Sequence, residues 1–493
     1  MTTYPPAEYR PDDAGPESPF TDNIVGLLPT GRGAYKPFPE VELYSAAAAS
    51  GVVLSSATVR TSAGINRLFI AGDGFVEELN SSLTWDDVTP AAGFTATDGV
   101  QFTRFKGDLV LLSDTNDPVK IDIDAGTQFG PFSGTPPAAK YGGFINEHYI
   151  LAGWQATPNR LQWSGINGLG SWTVGTNLSG TKTFPDGSEI TGICSGFSDG
   201  IVFLRNRIEL MTLTGGNPAF SFTPISEEIG CIAPASIVCV GRSVYFYSIR
   251  GFCRLNSDYS IDYIGEDRVD ETVEDAMDDT LLPKLKGAAD PLEKFVWWTF
   301  YGTGSASAYA NKGVGFHWHD SRWFPADGLN SSHIGGMGTA PVSLEDLDTI
   351  FGPNLDTDVP FSLDSNVLKG NRPSLALFGS DNNLYFFTGA NKAAQIDSQE
   401  IKINEHGAAT LQSVQVISDN NNWTAAAGYK TLPGDSFSYG SDRAAEAATG
   451  VINFSMDQTN GHFHRARLKI AAGETWSRLR GVLTPKAQPG GSV

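Results

Sequence analysis

One pattern recurs along most of this chain. A short run of Val, Ile, Leu, Phe, Tyr or Trp meets a Gly/Asn/Asp/Ser turn and is followed by a second, aromatic-rich run. Turns that return every roughly 8–12 residues between such runs mark antiparallel hairpins. Arg160-Leu-Gln-Trp-Ser-Gly-Ile-Asn-Gly-Leu-Gly-Ser-Trp172 is one complete instance: strand, turn, closing Trp. The hairpins group into units at Arg67–Trp85, Val100–Ile123, Tyr149–Trp172, Ile190–Leu213, Ser236–Leu255 and Phe295–Trp323, with an incomplete one at Leu375–Phe387. Self-similarity at a period of roughly 40–50 residues belongs to propellers and solenoids. Units of three or four strands favour the propeller, which grows by adding blades around an axis. The expectation is an all-β chain with a β-propeller of about six to eight blades over residues 46–395.

The ends differ from the middle. Residues 1–45 are rich in Pro, Gly and Asp and read as an extended arm rather than a domain. After Gln395 come well-alternated strands with long polar links, such as Leu411-Gln-Ser-Val-Gln-Val-Ile and Arg465-Ala-Arg-Leu-Lys-Ile. They predict a smaller sandwich-like platform domain over 396–493. Neither end has enough strands for a core of its own, so arm and platform are expected to join. Two segments interrupt the hairpins. Across Glu266–Leu285, Val269, Val273, Met277 and Leu281 step by four between acids, which predicts one short acidic helix. Ser343–Leu368 is irregular and reads as a long loop.

Acidic residues outnumber basic ones, 55 to 34, for a net charge of −21. Such a surface repels nucleic acid and acidic lipid, which excludes ordinary DNA binding but allows DNA to slide past. Four cysteines, at 194, 231, 239 and 253, lie among apolar residues without zinc-site spacing and are expected as buried free thiols. The start has no basic and apolar leader pattern, and no apolar run approaches the ~20 residues of a membrane helix. A soluble product of cytoplasmic synthesis, with no membrane insertion, is expected. The charge reverses at the end, where Arg465, Arg467, Lys469, Arg478, Arg480 and Lys486 face a single acid, Glu474. Arg465, Arg467, Arg478 and Arg480 are the candidate interface residues; like charges on one strand face need counter-charges, on a partner or in solvent.

No constellation announces a reaction. His317/His319 and His462/His464 each place two imidazoles on a strand face, but neither pair brings a third ligand, so no metal is expected. Ser164…Asn167-Gly168…Trp172 approaches the Asp-box turn of sialic-acid-cleaving propellers, with Asn and Trp each displaced by one. Asp12-Asp13, Asp86-Asp87 and Asp278-Asp279 read as solvated turns. Phosphate-cradling and nucleophile-elbow motifs do not occur. The expectation is no enzyme, no catalytic residue and no cofactor.

Four segments together resemble one family, the nozzle (packaged-DNA stabilisation, tail-hub) proteins of short-tailed bacteriophages. They are Asn159–Asn167 with Ser171-Trp172; Gly196 with Asp199–Met211, followed by Phe222, Ile225–Ala233, Val244-Tyr-Phe and Gly251-Phe252; Gly287–Trp298; and Gly461–Trp476 with Gly481-Val. The resemblance implies a propeller plus platform and a homohexamer, ringed below the portal adaptor or head-tail connector. It further implies a channel through which DNA passes without sequence-specific binding, and attachment of tail fibres, spikes or a needle. The implied role is a structural virion protein of the tail that retains packaged DNA and channels it on ejection. Two other classes stay open: a non-viral propeller that binds a protein or glycan, and a glycan-cleaving propeller.

Overall fold

In the computed structural model the described residues are 2–14, 18–97, 99–185, 187–195, 199–305, 309–326, 328–339, 344–352, 354, 358–361, 374–404, 407–446, 449–454 and 459–484. Among them the chain is all-β, with many small antiparallel sheets in a propeller-like succession. Sheet one holds Val53–Arg60, Asn66–Gly72, Phe75–Leu79 and Trp85–Asp87. Sheets two to five begin at Val100–Phe105, Tyr141–Ile145, Ile190–Ser195 and Val238–Val240, each adding three further strands in sequence order. Sheet six begins at Lys286–Asp290 and sheet seven at His333–Met337.

The second strands explain the continuous apolar runs. Leu109–Leu112, Tyr149–Ala152 and Val296–Trp298 are buried on both faces, because each small sheet packs between two neighbours. Each such side chain contributes roughly 1.5–3 kcal/mol of burial. The first strand of sheet seven lies against the first strand of sheet one, where Ser56 Oγ meets His333 Nε2 at 2.9 Å and Gly338 N donates to Thr58 Oγ1 at 2.9 Å. The unit that reads as incomplete in sequence is finished from the far end of the chain: Leu43 and Glu42 pair with Tyr385 and Phe386.

The arm is stitched into four sheets. Besides sheet seven, Glu8–Tyr9 and Phe20–Thr21 extend sheet six. The remaining arm strands enter two larger sheets built with the C-terminal residues. One runs Val451–Asn453, Ser413–Ser418, Leu479–Thr484, Ala34–Pro37, Leu27–Thr30, with Thr2–Tyr4 also on Leu479–Thr484. The other runs Ser438–Tyr439, Thr424–Lys430, Phe463–Ile470, Ala394–Asp397, Ile24–Val25. Val414, Ile452 and Leu479 of the first face Ala425, Ala466 and Leu468 of the second in one core that continues into Trp298, Phe316 and Trp323 of sheet six.

Three expectations change. The helix is shorter than Glu266–Leu285: α1 spans Asp270–Ala276, Met277 turns extended and bridges Gly302, and a 3-10 turn covers Asp279–Lys284. Asp278 takes the Thr280 N–H and starts that second turn, so the stripe Val269, Val273, Met277 is buried while the helix breaks. The 343–368 segment is not irregular throughout, since α2 spans Leu344–Phe351 and buries Leu347 beside Phe361; 343, 353, 355–357 and 362–368 fall outside the described residues. The cysteines are not all free. Cys194 and Cys239 form a disulfide between sheets four and five with Cα atoms 6.3 Å apart, while Cys231 and Cys253 are buried thiols. Neighbouring sheets bring together residues 45 apart in sequence, a pairing that no local spacing signals.

Candidate functional site

The strand Phe463–Ile470 alternates with period two. Ala466, Leu468 and Ile470 enter the core, which leaves Phe463, Arg465, Arg467 and Lys469 on the outer face. The adjoining strand offers Ala426 and Gly428 directly opposite Arg467 and Arg465, and Lys430 opposite Phe463. The missing side chain at Gly428 leaves room for the Tyr439 ring, over which the Arg467 guanidinium lies. On the other flank Asp397 stands in register with Arg467.

The result is a charged pocket of about 500 Å³. Asp397 is 1% exposed and accepts from Arg467 Nε and Nη2 at 2.8 Å, Tyr439 Oη at 2.7 Å and Asn23 Nδ2 at 3.2 Å. Hydrogen bonding to Asp397 holds the Arg467 guanidinium above its ordinary pKa, and burial, then Asp397, raises the Tyr439 phenol. Lys430 pairs with Glu400 at 2.9 Å, both buried, and donates to the Pro433 carbonyl at 2.8 Å. Arg465 lies over the Phe437 ring, 4.7 Å from its centroid, and reaches Asp22 at 3.1 Å through Nη1.

The four candidate arginines therefore separate. Arg465 and Arg467 share one face, as their spacing predicts, and find carboxylates within their own chain. Arg478 and Arg480 belong to the other large sheet or its edge. Arg478 donates from Nη2 to the Gly31 carbonyl at 3.3 Å, and Arg480 is exposed. Lys430, Glu400 and Asp397 were missed in sequence, because isolated charges in separate strands carry no signal until the register aligns them.

The histidine pairs stay apart from any ligand set. His317 is buried, which lowers its pKa, with Asp320 at 3.5 Å; His464 Nε2 lies 3.0 Å from the Gly461 carbonyl oxygen. Among the described residues no three His, Cys, Asp or Glu side chains converge as a metal site. The Ser164…Trp172 turn is a structural plug: Ser164 Oγ accepts the Tyr149 N–H, and Trp172 Nε1 donates to the Leu169 carbonyl. A second cavity, of about 610 Å³, opens among the first strands of sheets one, six and seven and carries Asp73, Thr97, Lys284 and Lys286. Lys286 Nζ there donates to the carbonyls of Leu54 and Ser332 at 3.1 and 2.9 Å. No described helix is long and apolar enough to cross a membrane.

No family model matches the chain, and no curated protein matches it. Among solved structures, it is similar to the extracellular domain of a hybrid two-component system protein from B. thetaiotaomicron, at 10% identity and TM-score 0.43, over 78% of this chain and 44% of that one. Virginiamycin B lyase from Staphylococcus aureus gives 12% identity and TM-score 0.39, over 60% and 93%. The computationally designed Ika8 protein gives 9% and 0.39, over 71% and 100%. Likenesses this distant do not bear on what the chain does.

Proposed function

We propose that the chain is a structural protein of a bacteriophage tail, a non-enzymatic nozzle subunit that forms a homohexameric ring below the portal adaptor. In this reading residues 46–395 make a closed seven-bladed propeller whose last blade takes its outer strand from the arm. Residues 1–45 and 396–493 make the platform, and packaged DNA is held and then released through the channel of the ring. Tail fibres, spikes or a needle attach from outside, and synthesis is in the host cytoplasm. One observation carries the reading: both ends of the chain are woven into a single two-sheet unit beside seven successive small sheets. That is the propeller-plus-platform plan the four resembling segments imply. The net charge of −21 fits a wall that phosphates slide past rather than grip.

Negative-stain imaging of the purified protein, with light scattering for mass, tests it. Six-fold rings with a central hole are the expected result; monomers alone at tens of micromolar, with and without the adaptor ring, would sink the reading. The cavity carrying Lys284 and Lys286 favours a second reading, a propeller that binds a protein or glycan. Glycan-array signal from a protein that does not self-assemble is the result expected of that alternative.

A further inference from the structure

The charged pocket leaves one of its buried cations, Arg465, only partly satisfied. Its lining sets Arg465, Arg467 and Lys430 against four acids, of which Asp397 and Glu400 are buried and Asp22 and Asp435 are exposed. Asp397 is committed to Arg467, Tyr439 and Asn23, and stands 3.9 Å from Arg465. The closest counter-charge of Arg465 is Asp22, whose side chain is 57% exposed while that of Arg465 is 7% exposed. The contact uses Nη1 and one oxygen, 3.1 Å apart, and the buried Arg465 Nε has no hydrogen-bond partner. A guanidinium engaged at one corner keeps its side-on fork for a planar, two-oxygen acceptor. The Phe437 ring fixes the plane of that fork.

We propose that this pocket is a carboxylate-binding site in which Asp22 is a resident occupant that an incoming carboxylate displaces. The incoming group seats its two oxygens on Nε and Nη2 of Arg465, beside the Nη1 that Asp22 holds, and the Asp22 charge is what it must push aside. Asp22, held on the arm beside a two-residue strand, moves into solvent at little cost because it is already more than half exposed. The carboxylate comes either from a small free acid or from a Glu or Asp side chain of a protein partner. The recognition chemistry is the same for both. The inference goes beyond the tail reading and stands whether or not six copies assemble.

The test uses the full chain at low ionic strength, where screening is weak, with isothermal titration of glutarate and of an acetylated penta-glutamate peptide, and with glutaramide as the uncharged control. The expected results are binding of at least one acidic probe, none of glutaramide, and about fivefold or greater tightening in D22N, since the competitor for Arg465 is gone. In R465K, which keeps the charge and loses the fork, affinity falls by about tenfold or more. Equal binding of glutarate and peptide identifies a small-acid site; binding of the peptide alone identifies a protein side chain. Should R465K not fold by circular dichroism, the D22N comparison decides. D22N that binds neither acid, or binds no more tightly than the unaltered chain, overturns the proposal.

Discussion

Arg467 and Asp397 stand opposite each other in one ladder and share two parallel hydrogen bonds of 2.8 Å, with the Tyr439 ring centroid 3.7 Å from the guanidinium carbon. The pair explains how a strand carrying Arg465, Arg467 and Lys469 survives inside an acidic protein. Asp397→Asn keeps the shape and removes the charge that two arginines depend on. Breaking a buried pair from one side typically costs ~3–5 kcal/mol. Urea unfolding should show a loss of that order with the slope unchanged. A loss under about 1 kcal/mol would mean that solvent already screens the cluster.

Asp270 should make the protein less stable as pH rises. Burial pushes its carboxyl from 3.8 up to about 7 against the pull of the Phe252 N–H, with Glu274, Asp12 and Glu266 adding to the rise. Below pH 3.8 folded and unfolded chains are both protonated there and the group is neutral to stability. Between 3.8 and 7 only the unfolded chain ionises, so stability falls, and above 7 the full penalty is present, on the order of 4 kcal/mol at 1.36 kcal/mol per tenfold change in ionisation. Asp270→Asn retains an acceptor for Phe252. It should raise the melting temperature at pH 8 and leave it unchanged near pH 4; an equal shift at both would remove ionisation as the cause.

Gly26 has φ +64°, and a Cβ there would lie 2.1 Å from the Ala393 carbonyl oxygen. Gly26→Ala therefore forces the arm away from Ala394–Asp397 and should cost ~1–3 kcal/mol. Hydrogen exchange should speed up at Ile24 and Ile396, which pair there, and stay unchanged in sheet three.

Unfolded without reductant, the chain should expose two reactive thiols, from Cys231 and Cys253, and four after reduction. Closing a loop of this length is worth roughly 2–4 kcal/mol, so Cys194→Ala with Cys239→Ala should lower the denaturation midpoint. Four thiols without reductant would rule out the crosslink between sheets four and five.

Sequence periodicity marks the hairpins well because each strand's apolar run is local: Leu109–Leu112 and Phe295–Phe300 are visible without any partner. What escapes is whatever depends on register between distant strands. Arg465 and Arg467 stand out by their spacing, yet nothing near them points to Asp397 or Asp22, and Lys430 looks like an ordinary strand end. Asp12 shows the same limit. It reads as a solvated turn, but its carboxylate accepts the N–H groups of Glu271 and Thr272 and so caps α1 from the arm. The broken helix is legible only afterwards, since Asp278 competes for the backbone in a way that four-residue stepping ignores.

The weaving of the arm also sets a schedule. Thr2–Tyr4 pairs with Val482–Thr484, and Glu42–Leu43 with Tyr385–Phe386, so these early strands wait for partners made hundreds of residues later. At ribosomal speeds of ~5–20 residues per second that wait is on the order of 20–100 s. Sheets one to five are made of consecutive strands and need not wait. High contact order is thus concentrated where the arm pairs with later strands. A nascent chain keeps these pairings open until residues 385–386 and 482–484 have been made, and a product cut before them leaves Thr2–Tyr4 and Glu42–Leu43 without those strands.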